Sequence, residues 1–305
     1  MSPSLAIDVA GLRLRNPTML AAGVLGLTGA TLRRVWDAGA GAVVTKSLGL
    51  TPRVGYANPT VVDVGCGFLN AMGLPNPGVA AFVEEVNAAR AGGDMVLVAS
   101  VFGASPQAYA EAAGVMADAG VDGIELNVSC PHVQAAGMEL GQDPAILDAV
   151  VRAVKASVRL PVFTKLTPNT ANIRDLARTV EWAGGDGIVA VNTLRAMAID
   201  VETGRPLLGN RIGGLSGPAL KPVALRCVYE IAQTVTIPVI GCGGVTGWQD
   251  VVEYLLAGAH AVQIGSAIAY KDVAVFTEVV AGVKAYLQRK NYRRVEDLIG
   301  LAQTP

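Results

Sequence analysis

The chain has 305 residues, 51% of them hydrophobic and 16% charged, which excludes disorder as the main state and lets the core stand without disulfide or metal. A net charge of −1 argues against a broad nucleic-acid-binding face. Thirty-six glycines beside only 5% aromatic residues point to tight turns and small-residue packing around buried parallel strands.

Met1 to Pro17 has no basic stretch followed by an apolar core, so no secretory signal is read there and a reducing cytoplasm is expected. Apolar runs are broken by Gly, Pro or charge well below the ~18 residues of a membrane span, so no membrane contact is expected. Leu5–Val9 and Leu12–Leu14 read as a short hairpin. Strands are then predicted near 18–22, 42–46, 96–101, 123–127, 161–166, 187–191, 238–242 and 261–264. Helices follow them near 29–38, 78–91, 105–119, 143–157, 171–183, 218–234, 247–257 and 272–287. Four junctions repeat one pattern of helix end, glycine stop and strand, around Gly39, Gly120, Gly184 and Gly258. Strand–helix alternation implies a parallel sheet, and eight units in this length imply a closed (β/α)₈ TIM barrel forming one domain over residues 1–305. The hairpin would plug the barrel's bottom, and the tail after Lys290 reads as a surface helix.

Long connections follow the second strand (47–77), the fourth (128–143) and the sixth (192–218), all on the C-terminal face where barrels of this kind carry their chemistry. The strand ends there read Lys46, Ser100, Asn127, Lys165, Asn192, Gly243–Gly244 and Gly265–Ser266. Two lysines on one barrel face favour an anionic or electron-rich ligand over two incidental salt bridges. Glycines ending the last two strands open backbone N–H groups to a phosphate, although each alone is an ordinary turn. Asn127-Val128-Ser129-Cys130-Pro131-His132 leaves the fourth strand into a polar loop, where a thiol can act as nucleophile or base. His132 is a rival for that role. Cys66 is expected at the surface, Cys227 in the core, Cys242 packed near the ligand and His260 structural. Counting leaves disulfides and free thiols both open. No His, Cys or carboxylate spacing suggests a metal.

Asn70-Ala71-Met72-Gly73-Leu74-Pro75-Asn76-Pro77-Gly78, Asn127-Val128-Ser129-Cys130-Pro131 and Gly241-Cys242-Gly243-Gly244-Val245 resemble dihydroorotate dehydrogenase, a flavin enzyme of pyrimidine synthesis. The likeness runs from Asn16-Pro17 to Gly265-Ser266. Cys rather than Ser at 130 resembles the class 1 enzymes, and the continuation Asn76-Pro77-Gly78 and His132 resemble their NAD-linked B-type more than the fumarate-linked homodimeric A-type. Ala22, Ser100 and His132 depart from residues common in class 1, which are Ser, Asn and Asn. The resemblance implies FMN across the barrel mouth, its phosphate on Gly243, Gly244, Gly265 and Ser266. Ala22, Lys46, Ser47, Ser100, Asn127, Val191 and Gly217 would touch it elsewhere, and Lys165 would stabilise its reduced anion. Dihydroorotate would be held by Lys46, Asn70, Ala71, Met72, Gly73, Leu74, Asn127, Asn192 and Thr193, with Cys130 as the general base that yields orotate. It further implies a homodimer, a partner subunit carrying FAD and an iron–sulfur cluster, and a cytoplasmic setting. A pyrimidine-reducing barrel like that of dihydropyrimidine dehydrogenase, and a flavin-free phosphate-sugar lyase or synthase, are the other readings.

Overall fold

The computed structural model describes residues 2–129 and 140–303. Its strands are β1 (Ile7–Val9), β2 (Leu12–Leu14), β3 (Thr18–Leu20), β4 (Val43–Val44), β5 (Val61–Asp63), β6 (Phe68–Asn70), β7 (Leu97–Val101), β8 (Gly123–Asn127), β9 (Val162–Leu166), β10 (Gly187–Ala190), β11 (Leu194–Ala196), β12 (Ile199–Asp200), β13 (Arg205–Pro206), β14 (Gly213–Ser216), β15 (Val239–Cys242) and β16 (Ala259–Ile264). Its helices are α1 (Gly29–Asp37), α2 (Val79–Ala91), α3 (Pro106–Asp118), α4 (Pro144–Ser157), α5 (Ile173–Trp182), α6 (Lys221–Ala232), α7 (Trp248–Leu256), α8 (Ile268–Lys271) and α9 (Ala274–Lys290).

Eight parallel strands hydrogen-bond in the order β3-β16-β15-β10-β9-β8-β7-β4. A bridge between Met19 and Ala42 joins β3 to the residue before β4, with Leu20 N–H donating to the Ala42 carbonyl at 3.0 Å. The sheet thereby returns on itself as the expected (β/α)₈ barrel. Local chemistry sets the helix ends. Thr28, Ser105, Asp143 and Asn172 accept hydrogen bonds from first-turn N–H groups of α1, α3, α4 and α5. The repeated glycines past α1, α3, α5 and α7 hold φ of +108°, +87°, +88° and +110°, the left-handed stop that lets the chain turn into the next strand.

β7, β9 and β10 are buried at every residue, as strands covered on both faces must be. The β1–β2 hairpin buries Ile7, Val9, Leu12 and Leu14 and closes the bottom. Leu12 reaches Gly123 at the foot of β8, where a Cβ would lie 3.3 Å from its Cδ1.

Two expectations need correction. The tail after Lys290 is not a surface helix. It forms short 3₁₀ turns over Val295–Leu298 and Leu301–Gln303, with Val295 and Leu298 fully buried. Gly300 N–H donates to the Leu255 carbonyl at 2.9 Å and Ser4 pairs with Arg294, so the tail ties the amino terminus to α7. The connections after β4 and β10 are also not plain loops: they combine into a four-stranded antiparallel sheet, β11-β14-β6-β5, beside a small β12–β13 pair. Leu69, Ala71 and Leu208 give that sheet its own small core. Among the described residues no helix is long and apolar enough to cross a membrane.

Barrel closure makes a testable contrast between two glycines. A Cβ on Gly41 would lie 2.1 Å from the Asn16 carbonyl oxygen, whereas one on Gly114 inside α3 meets nothing within 4 Å. Gly41→Ala should lose about 1–3 kcal/mol by overpacking. Gly114→Ala should gain up to about 1 kcal/mol from helix propensity. Urea unfolding midpoints of the two variants check both signs.

Candidate active site

A cavity of about 640 Å³ opens at the C-terminal ends of the barrel strands, between them and the antiparallel sheet. Its lining includes Ala22, Lys46, Ser47, Asn127, Lys165, Val191, Gly217, Gly243, Gly244, Gly265 and Ser266. It also includes Asn70 to Leu74, Asn192 and Thr193. The residues expected around cofactor and substrate are therefore brought together, with one exception. Ser100 is fully buried and does not reach the cavity; its Oγ meets Ser47 Oγ at 2.9 Å, so it acts through Ser47. Ser100 stands in register with Glu125, so β7 turns it to the barrel interior, below the cavity lining. Cys130, the expected base, and His132 lie outside the described residues.

The amide side of the cavity is a hydrogen-bonded row. Asn192 Nδ2 donates to Asn127 Oδ1 at 3.3 Å, and Asn127 Nδ2 donates to Ser47 Oγ at 3.0 Å. Asn127 Oδ1 also accepts from Ser129 N–H at 3.3 Å, and Asn192 Oδ1 from Thr193 N–H at 2.8 Å. Asn70 arrives on β6 and donates to the Gly214 carbonyl of β14 at 3.1 Å. Each NH₂ has two hydrogens, so each of these amides keeps a donor for a ligand. A heterocycle with alternating carbonyl and N–H groups suits such a set.

The two lysines sit in different surroundings. Lys46 is nearly buried, has no ion pair among the described residues, and burial pulls its pKa down. An anionic ligand would favour its charged form against that burial. Lys165 lies deeper. Its Nζ donates to Gln263 Oε1 at 2.7 Å and stands 3.9 Å from Glu125 Oε1. Burial pulls its pKa down, but Cys242 and Glu125 outweigh that and hold it above the usual lysine value. Burial in turn pushes the Cys242 thiol up, against the opposing pull of Lys165. Cys242 thus packs in the cavity wall as expected. Cys66 is exposed and Cys227 buried, also as expected. His260 enters β16 at the far end of the strand from the cavity, with burial pulling its pKa down.

Sequence reasoning passed over Glu125 and Gln263, which both line the cavity. The signal was present: a carboxylate between Ile124 and Leu126, and an amide between Val262 and Ile264, inside otherwise apolar strands. Asn169 was also passed over; its Oδ1 accepts from Arg195 N–H at 2.8 Å at the rim.

The FMN implied by the resemblance can be tested against these residues. Gly244 has φ +68°, and a Cβ there would lie 2.7 Å from Lys221 Cβ and 2.8 Å from the Gly217 carbonyl oxygen. Only glycine fits at that position. The N–H groups of Gly243, Gly244, Gly265 and Ser266 have no acceptor among the described residues, which is the donor set a phosphate takes. A buried ammonium in the same cavity suits a ring that becomes anionic on reduction. The residues fit the group.

A family model described as dihydroorotate dehydrogenase matches residues 4–287. Over 299 residues the chain is 50% identical to a Methanosarcina mazei protein named dihydroorotate dehydrogenase B (NAD(+)), catalytic subunit, covering 98% of this chain and 95% of that one. A Pyrococcus furiosus protein of the same name is 50% identical over 300 residues, covering 98% and 99%. A third, from Methanothermobacter thermautotrophicus, is 48% identical over 300 residues, covering 98% of each. With near-complete coverage at this identity, over a barrel whose mouth unites the glycine N–H groups, the lysines and the asparagine row, the chain belongs to the dihydroorotate dehydrogenase family.

Proposed function

We propose that this chain is the catalytic subunit of a class 1, B-type dihydroorotate dehydrogenase, which oxidises dihydroorotate to orotate in pyrimidine synthesis. The reading treats residues 1–305 as one FMN-binding domain, working in the cytoplasm as a homodimer. A partner subunit carrying FAD and an iron–sulfur cluster would take the electrons on to NAD. The relatives' names, which specify a catalytic subunit and NAD(+), support that partner. The observation that carries the reading is a single cavity uniting unengaged glycine N–H groups, a buried ammonium and a row of carboxamides.

In this reading the N–H groups of Gly243, Gly244, Gly265 and Ser266 hold the FMN phosphate. Ala22, Ser47, Val191 and Gly217 pack against the rest, and Ser100 supports Ser47. When bound, FMN supplies the acceptor for the hydride leaving C6 of dihydroorotate. Lys165 holds positive charge beside the flavin's pyrimidine edge. Asn70, Asn127 and Asn192 orient the substrate ring through their remaining N–H groups, helped by the Ala71–Leu74 backbone and Thr193. Lys46 reaches both ligands, and its ammonium meets the substrate carboxylate. Cys130, as thiolate, removes the proton from C5. In the sequence it follows Asn127, the last residue of β8, by three positions.

Three outcomes follow from these assignments. The purified chain should be yellow and should release FMN on denaturation. Gly244→Asp, which forces the loop away from Lys221 and Gly217 and adds a negative charge among the N–H donors, should come out colourless and fail to take up added FMN; retention of flavin by that variant would remove the phosphate assignment.

Cys130→Ala should slow anaerobic flavin reduction by dihydroorotate by ~10²–10⁴-fold, the usual contribution of a positioned base, with orotate still bound. Stopped-flow traces of Cys130→Ala and His132→Ala decide between the two residues: a normal rate in the first and a slow one in the second would make His132 the base.

The isolated chain should oxidise dihydroorotate with artificial dyes yet fail with NAD. Efficient NAD reduction by the single chain would overturn the need for a partner, and efficient use of fumarate would select the A-type instead.

A further inference from the structure

Lys165 does not stand alone in the barrel interior. Glu125 and Gln263 are each 1% exposed, and nothing in the binding scheme uses them. Their strands, β8 and β16, are not neighbours in the sheet, so the contact between them spans the inside of the barrel. Gln263 Nε2 donates to Glu125 Oε2 at 2.5 Å, while Gln263 Oε1 accepts from Lys165 Nζ at 2.7 Å. These two bonds determine how the amide faces. An ionised carboxylate only accepts, so the NH₂ must turn to Glu125 and the carbonyl to the ammonium.

The second oxygen of Glu125 is the informative atom. Oε1 stands 3.9 Å from Lys165 Nζ and has no hydrogen bond among the described residues. At hydrogen-bond distance the carboxylate would take up an N–H of the ammonium directly. At 3.9 Å, with an amide between, it offsets the desolvation of the buried cation and leaves N–H capacity on Nζ for a ligand.

We propose that Gln263 and Glu125 are positioning residues for Lys165: Glu125 orients Gln263, Gln263 anchors the ammonium, and together they hold it charged with N–H capacity left toward the reducible ring of the flavin. This rests on the FMN reading above and adds to it the means by which the lysine is held. The titratable groups that face Lys165 are Glu125 from β8 and Cys242 from β15, with Lys46 lining the same cavity from the end of β4. β10 contributes none, its residues being Gly187 to Ala190.

The test uses two near-isosteric variants of the full chain. Gln263→Met keeps the length and removes both bonds. Glu125→Gln keeps an acceptor for Gln263 Nε2 and removes the charge. FMN uptake is followed by quenching of flavin fluorescence, and the midpoint potential of the bound flavin is then measured against reference dyes across pH. Gln263→Met should bind FMN, since its phosphate rests on the glycine loops. Its two-electron reduction should be about tenfold less favourable, about 30 mV lower. Glu125→Gln removes one of the two groups that offset burial, leaving Cys242 as the other, and so lowers the Lys165 pKa. As pH rises through that value the ammonium is lost, so this variant's potential should drop below the wild-type curve on the alkaline side. An FMN-loaded Gln263→Met at the wild-type potential overturns the proposal. So does a Glu125→Gln curve that follows the wild type throughout; if Gln263→Met does not fold, that curve decides alone. Wild-type protein that takes up no FMN brings down the functional reading and this proposal with it, and the loading step registers that before any potential is measured.

Discussion

A strand lining a closed barrel can send only alternate residues inward, and those inward positions from eight strands must share one small volume. Along β8 this places Glu125 and Asn127 on the same side, one in the floor and one at the mouth. Along β9 it sets Lys165 above Phe163, whose ring fills the space beside Gly187. A polar group in such a place is costly unless it meets a partner. The interior accordingly joins its polar residues into two sets. The deeper one links Lys165, Gln263 and Glu125. The outer one links Asn192, Asn127, Ser47 and Ser100. The first carries charge, and the second carries donors and acceptors that match a flat heterocycle.

The two halves of the cavity are built by different means. Glycines, lysines and most of the amide row stand on barrel strands or within two residues of their ends, so the sheet itself sets their positions. Asn70 instead reaches the mouth through a ladder between segments separated by 144 positions. That ladder leaves no slack: a Cβ on Gly67 would lie 2.0 Å from the Ser216 carbonyl oxygen. Substrate contacts on this side thus depend on two long connections folding together, while the phosphate cradle needs only the barrel. Such a division lets the scaffold stay rigid while the loops above it determine what is bound. Membership of the dihydroorotate dehydrogenase family sets aside the phosphate-sugar lyase reading, for which the glycine ends of β15 and β16 alone would have served as well.

Much of this was legible in the residues. The barrel, its hairpin plug and the positions of its strands and helices follow from local signals: apolar runs of strand length, helix-capping side chains and glycines where the backbone must turn left-handed. The cavity wall was legible too, because strand ends in a parallel barrel converge on one face, so Lys46, Asn127, Lys165, Gly243 and Gly265 could be gathered there before any coordinates. The resemblance placed Asn70 to Leu74 in the same cavity.

Partnership between residues far apart in the chain was not legible. Ser100 lies next to the end of β7, yet bonds Ser47 without lining the cavity, since whether a side chain near a strand end reaches the mouth depends on strand tilt and register. Glu125 and Gln263 stood out as polar residues in apolar strands, but their bond joins positions 138 apart across the barrel interior. The antiparallel sheet over the mouth and the burial of Val295 and Leu298 are likewise products of long-range packing. Local propensity and periodicity are properties of neighbouring residues and can be read along the chain. Which buried donor meets which acceptor is decided only when the sheet closes and water is excluded, because only then must each polar group find its partner inside the protein.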